Sequence, residues 1–133
     1  MNGRVAYLDT SAFLKLVVAE PESAALQRFL TRWPGRASAT LLRTEAIRAL
    51  GRAGHGAHVG PARRLLATLR LVRVDEPLLD RAAELDPREL RSLDAVHLAA
   101  ALAIGPDLGA FLTYDERLAE GARWHGLAVQ APS

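Results

Sequence analysis

Two short apolar runs, Val5 to Leu8 and Ala110 to Tyr114, each stop directly at an aspartate, Asp9 and Asp115. Neither run alternates apolar with polar residues. Segments with apolar residues at helical spacing separate them. A strand that shows only one face to the core alternates, whereas a strand buried on both faces does not, and that second pattern belongs to parallel sheets covered by helices.

The rest of the chain fits the same plan. Helical spacing predicts a helix from Ser11 to Ala19 and a second after Glu20-Pro21-Glu22, with Ala25, Leu26, Phe29, Leu30 and Trp33 as its stripe. Pro34-Gly35 ends it, and Arg36 to Ala39 reads as a strand. Leu42, Ala46, Ala49, Leu50 and Ala53 predict a helix capped by Ser38 or Thr40. A glycine-rich loop (Gly51, Gly54, Gly56, Gly60) follows, then a helix from Pro61 to Leu69 and a strand from Leu71 to Val74. Pro77 opens a further helix. Ser92 is a candidate N-cap for a helix from Leu93 to Ile104, which is apolar nearly all round and should be buried. Arg117 to His125 reads as a helix and Leu127 to Val129 as a last strand. The expected fold class is α/β, a three-layer α/β/α arrangement with a short, mostly parallel central sheet. With 133 residues and no linker or repeat, residues 1–133 form one expected domain.

Composition removes several functions. There is no cysteine, so no disulfide scaffold, thiol nucleophile or thiolate metal site is available. No stretch is long and apolar enough to span a membrane, and Asp9 and Lys15 interrupt any leader-like run. The reading is a cytoplasmic protein without a membrane partner. A pI near 9.7 sounds strongly basic, yet 17 Lys+Arg face 15 Asp+Glu. Lys15 is the only lysine, and arginines do not titrate in the accessible range. The pI therefore reflects a gap in titration, and by itself does not mark a nucleic-acid binder.

The acids carry the chemistry. Ligands of open parallel sheets bind beyond the carboxyl ends of the strands. Asp9 and Asp115 follow strands there, as does Asp75. Asp94 lies in the first turn of the apolar helix, where the helix dipole favours a carboxylate. Glu45 lies beside the apolar stripe of its helix, and taken alone reads as a surface acid paired with Arg48. Several carboxylates meeting at one edge repel unless a cation joins them. A hard divalent ion takes oxygen ligands, keeps waters and can neutralise charge that builds on a phosphate.

Four segments resemble the PIN-domain ribonucleases, specifically the VapC-type toxins of type II toxin–antitoxin systems. They are Tyr7-Leu8-Asp9-Thr10-Ser11-Ala12, Thr44 to Leu50 around Glu45, Leu90 to Leu102 around Asp94, and Phe111 to Leu118 around Asp115. The resemblance spans essentially the whole chain, in order. It implies that Asp9, Glu45, Asp94 and Asp115 bind Mg²⁺ or Mn²⁺ and that the chain cleaves RNA. It also assigns Ser11 to a small polar position near the metal, Thr113 to a hydroxyl position near the last acid, and Arg91 to the RNA backbone. A VapB-type antitoxin and a homodimer are implied as partners.

Other features read more plainly. The glycine-rich loop has no preceding strand and no phosphate-loop motif. His55 and His58 lack further ligands and read as surface residues. His97, one turn from Asp94, reads as a satisfied buried or dimer-facing residue, with a metal-ligand role as the alternative. Trp33 and Trp124 read as packing residues. Arg63, Arg64, Arg70 and Arg73 read as a solvated face, some of which would contact phosphates if RNA is the substrate. Two rival functions remain. A phosphatase of the haloacid dehalogenase type would use Asp9 as nucleophile, but wants an acid two residues on, where Ser11 stands. A catalytically idle PIN fold would serve as a binding module and would bind no Mg²⁺ or Mn²⁺.

Overall fold

A computed structural model describes residues 2–133. Five parallel strands form one sheet in the order β3-β2-β1-β4-β5. They are β1 (Val5–Leu8), β2 (Gly35–Ala39), β3 (Arg70–Val72), β4 (Leu108–Leu112) and β5 (Val129–Gln130). All four pairings are parallel. Among the described residues seven α-helices connect them: α1 (Thr10–Val17), α2 (Ser23–Leu30), α3 (Leu42–Arg52), α4 (Val59–Leu66), α5 (Glu76–Ala83), α6 (Ser92–Ile104) and α7 (Glu116–Trp124). No helix among the described residues is long and apolar enough to cross a membrane.

The central strand β1 explains the layers. All four of its residues are buried. Successive side chains of a strand point to opposite faces. Val5 and Tyr7 join a core with Phe111, Leu78, Leu98 and Leu118, from β4, α5, α6 and α7. Ala6 and Leu8 join another with Ala12, Leu26, Leu30 and Leu112, beneath α1 and α2. A third cluster, around Phe13, Leu42, Leu50 and Leu66, packs α1, α3 and α4 together. Helix α6 is buried from Ala95 to Ala101. Its alanines let it lie close against β2, β3 and β4.

Several predicted boundaries shift, each for a local reason. Neither Ser38 nor Thr40 caps α3, because both hydroxyls tie strands together. Ser38 Oγ donates to the Leu8 carbonyl at 2.6 Å, and Thr40 Oγ1 accepts from the Val74 amide at 3.1 Å. The N-cap of α6 is Arg91 and not Ser92, since the Arg91 carbonyl already accepts from the Ala95 amide. The glycine-rich segment is shorter than its composition suggests, because α3 runs to Arg52 and α4 begins at Val59. The helix predicted from Pro61 to Leu69 thus starts two residues earlier and ends at Leu66. The strands predicted at Leu71–Val74 and Leu127–Val129 are observed at Arg70–Val72 and Val129–Gln130. Trp124 is 68% exposed and does not pack in the core. The buried face of α7 carries Leu118, Ala119 and Ala122, and Trp124 projects from the opposite side. Trp33 does pack, stacked on Phe29 at 5.9 Å.

Strand β4 begins two residues before its apolar run and ends at Leu112. Its register against β1 slips by one residue between Val5 and Ala6, with Gly109 as the extra residue. A Cβ at Gly109 would collide with the Gly3 carbonyl oxygen and come within 2.6 Å of the Trp33 ring. Backbone cannot give way cheaply. Gly109→Ala is therefore expected to cost about 1–3 kcal/mol, read as a lower urea midpoint. An unchanged midpoint would show that the slip tolerates a side chain.

Candidate active site at the carboxyl edge of the sheet

Asp9 closes β1 and caps α1, accepting from the Ala12 amide at 2.9 Å. Two hydroxyls complete its shell. Ser11 Oγ donates to Oδ1 at 2.7 Å and Thr113 Oγ1 to Oδ2 at 2.5 Å. Asp9 is only 3% exposed. Burial pushes its carboxyl above the ordinary value, and the bonds from Thr113, Ala12 and Ser11, with the His97 charge, offset that only in part.

The same hydroxyls bind β1 to the chain leaving β4. Ser11 Oγ accepts from the Tyr114 amide at 2.9 Å, and Thr113 Oγ1 accepts from the Asp115 amide at 3.0 Å. Asp115 then caps α7 through the Arg117 and Leu118 amides. Asp9 and Asp115 are thus joined through one side chain. Asp75, the third acid after a strand, only caps α5.

Asp94 sits half-buried in the first turn of α6. It lines a depression of about 260 Å³ with Arg91, Asp115, Glu116 and Arg117. Burial raises its carboxyl, the Asp115 charge raises it further, His97 opposes, and Asp9 and Glu45 add to the rise. All three other predicted acids therefore act on Asp94.

Glu45 is not the surface acid that its helix alone suggests. Its side chain is 21% exposed and its Oε1 lies 2.6 Å from His97 Nε2. Thr10 Oγ1 donates to the same oxygen at 2.6 Å. Partial burial pushes the Glu45 carboxyl up, but the bonds from His97 and Thr10 and the His97 charge pull it below the ordinary value. His97 itself is 2% exposed and also bonds Tyr7 Oη through Nδ1 at 2.7 Å. It is a satisfied buried residue, as its position suggested.

The donor set is oxygen-rich, and the three other acids all raise the Asp94 carboxyl, which suits a hard divalent ion. Among the described residues no three His, Asp or Glu side chains are arranged to hold one ion by themselves. Mg²⁺ does not require that, since it commonly keeps several waters and takes one or two carboxylates directly, plus substrate phosphates. The residues present fit such an ion.

Arg91 and Arg117 both line that depression. Arg63, Arg64, Arg70 and Arg73 are exposed on α4 and around the edge strand β3, outside that depression. His55 and His58 meet edge to face at 5.5 Å. Sequence reasoning missed Tyr7, Thr10 and Arg117 as parts of the site. Thr10 and Arg117 stand one and two residues after site acids, which is a usable signal. Tyr7 gives none, because a buried strand tyrosine reads as core.

An α/β sheet with acids gathered where its central strands end defines a class, and comparison with known proteins specifies it. The PIN domain family model matches residues 6–123. The chain is 53% identical over 128 residues to ribonuclease VapC46 of Mycobacterium tuberculosis, covering 96% of this chain and 97% of that protein. It is 42% identical over 130 residues to ribonuclease VapC47 of the same species, covering 95% and 96%. Among solved structures, Mycobacterium tuberculosis VapC20, a toxin that cleaves the sarcin–ricin loop, superposes with a TM-score of 0.71 at 19% identity, covering 86% of this chain and 93% of that one. VapBC2 of Rickettsia felis, bound to a promoter DNA fragment, gives 0.71 at 12% identity, covering 97% and 99%. The chain belongs to the PIN-domain family, in its VapC group.

Proposed function

We propose that this chain is a metal-dependent endoribonuclease, the toxin of a VapBC-type module. The carrying observation is the gathering of acids at the carboxyl edge of the sheet, where Asp94 and Asp115 line one depression and Asp9 and Glu45 add their charge to Asp94. Close relatives named as ribonucleases support the same reading. In this reading Asp9, Glu45, Asp94 and Asp115 hold Mg²⁺ or Mn²⁺. Such an ion, when bound, supplies Lewis-acid charge and lowers the pKa of coordinated water.

The chain's own residues do the rest. Ser11, Thr113 and the Ala12 amide hold Asp9 rigid and ionisable despite its burial. Thr10 and His97 orient Glu45. Arg91 and Arg117, beside Asp94 and Asp115, pair with phosphates flanking the scissile bond, as arginine does where charge must be matched without burial. Ser11 and Thr113 spend their hydroxyls on Asp9, so they serve substrate binding through that acid. The partners are RNA, a VapB-type antitoxin and a second copy of the chain. The place of action is the cytoplasm.

Protein purified away from antitoxin should cleave RNA in Mg²⁺ or Mn²⁺, lose that activity in EDTA, and regain it when the ion is restored. Cleavage that persists in EDTA would overturn the metal-dependent reading. A phosphoenzyme trapped at Asp9 would redirect it to phosphatase chemistry.

A further inference from the structure

Behind the site acids a chain of three side chains runs from the sheet to α3. Tyr7 of β1 is fully buried, stacked on Phe111 with ring centroids 5.3 Å apart. Its hydroxyl meets His97 Nδ1 at 2.7 Å. His97 Nε2 meets Glu45 Oε1 at 2.6 Å. We infer that His97, gripped by Tyr7, is a positioning residue that sets the Glu45 carboxylate for metal binding.

The bonding rules fix the direction of the contact to Glu45. An ionised carboxylate only accepts, so the short contact to Glu45 requires the proton on Nε2. The other ring nitrogen, Nδ1, is engaged by the Tyr7 hydroxyl, which donates to it in the neutral ring and accepts from it in the charged one. A histidine whose second nitrogen had no partner could turn over or change tautomer, and Glu45 would lose its donor. The Tyr7 ring is held flat against Phe111 on the sheet's most buried strand, so it cannot follow such a turn. Thr10, from α1, donates to the same Glu45 oxygen and lies 3.2 Å from Nε2. Glu45 of α3 is thereby referenced to α1, to α6 and to β1, the elements that carry Asp94 and border Asp9. A glutamate has more rotatable bonds than an aspartate and needs such anchoring more. Partners of this kind, one bond behind a metal-binding group, typically change affinity or activity by 10–100-fold.

This inference rests on the nuclease reading of Glu45, and the experiment separates the two. Mn²⁺ affinity by calorimetry, RNA cleavage and thermal unfolding are measured for wild type, Tyr7→Phe, His97→Leu, His97→Gln and Glu45→Gln. His97→Leu is expected to weaken both Mn²⁺ binding and cleavage by about 10–100-fold. His97→Gln, whose side-chain amide can supply a donor near the Nε2 position, should recover most of that loss. Tyr7→Phe should lose less, in the same direction, and none of these changes should weaken binding further in a Glu45→Gln background. A Tyr7→Phe or His97→Leu protein that melts lower yet binds Mn²⁺ and cleaves like wild type overturns the inference. So does a folded His97→Gln no better than His97→Leu. If His97→Leu does not fold, Tyr7→Phe decides by the same criterion. Wild type that neither binds Mn²⁺ nor cleaves, or Glu45→Gln equal to an active wild type, would instead overturn the nuclease role of Glu45.

Discussion

Asp94→Asn is expected to cut RNA cleavage by about 10²–10³-fold while leaving the metal-free fold at least as stable as wild type. The first half follows from the charge that a bound ion contributes, worth several kcal/mol of transition-state stabilisation, with each 1.36 kcal/mol a factor of ten. The second half follows from the direction of the Asp94 shift. Burial, Asp115, Asp9 and Glu45 raise its carboxyl against the opposing His97 charge. A carboxyl raised in the fold stabilises it most below the ordinary aspartate value, and that contribution is lost as pH rises through the raised value. At neutral pH the ionised group therefore opposes folding, and an amide of nearly the same shape removes the opposition. The helix-dipole term lost with the charge, about 0.3–1 kcal/mol, works the other way, against burial and three like charges. Mn²⁺ should reverse the order. Saturation at about 100 times the dissociation constant stabilises by about 2.7 kcal/mol, a gain that wild type makes and Asp94→Asn largely forfeits. Melting curves with and without Mn²⁺, beside a cleavage assay, test both halves. An Asp94→Asn protein as active as wild type would remove Asp94 from the reaction.

Thr113→Val is expected to destabilise the fold by about 1.5–3 kcal/mol, the size of a hydrogen bond to a charged group. Whole domains are stable by only about 5–15 kcal/mol. The substitution keeps the shape and removes the hydroxyl that donates to Asp9 Oδ2 and accepts from the Asp115 amide. Thr113 is 1% exposed, so water does not replace it easily. Its bond is also the largest influence holding the Asp9 carboxyl down against burial. Without it that carboxyl moves further up, and the pH window in which rising pH costs stability extends upward. The deficit against wild type should be small in acid, where Asp9 is protonated, and full at neutral pH. Urea midpoints across that range measure it. A deficit that does not change with pH would place the loss in packing and not in the Asp9 charge. Cleavage should fall by about 10–100-fold, as for other groups one bond behind a metal-binding acid.

Much of this site was visible along the chain. Asp9 and Asp115 end apolar runs, and a residue just past the end of a central parallel strand lies at the binding edge whatever the helices do. Asp94 opens the most apolar helix, which fixes both its burial and its dipole environment. Glu45 was legible only through resemblance. Its helix alone allows an exposed pair with Arg48, and nothing local says that His97, 52 residues away, will claim it. The caps show the same limit. Ser38, Thr40 and Ser92 are good capping residue types, yet the first two spend their hydroxyls on strand contacts, and backbone bonding starts α6 at Arg91. Capping preference is worth about 1 kcal/mol, so a tertiary contact readily overrides it.

Sequence by itself determined the class of fold, the succession of strands and helices, and the acids that follow the two central strands. Those follow from local patterns, because burial on both faces and helical spacing leave their mark on consecutive residues. Tertiary structure alone decided how the acids are held. The Thr113 hydroxyl joins Asp9 to Asp115, and His97 of α6, held by Tyr7 of the sheet, reaches Glu45. The Tyr7–His97, His97–Glu45 and Thr113–Asp9 bonds all span residues remote in sequence. Hydrogen bonds depend on distances of a few tenths of an ångström, and only packing of the whole chain sets distances that finely.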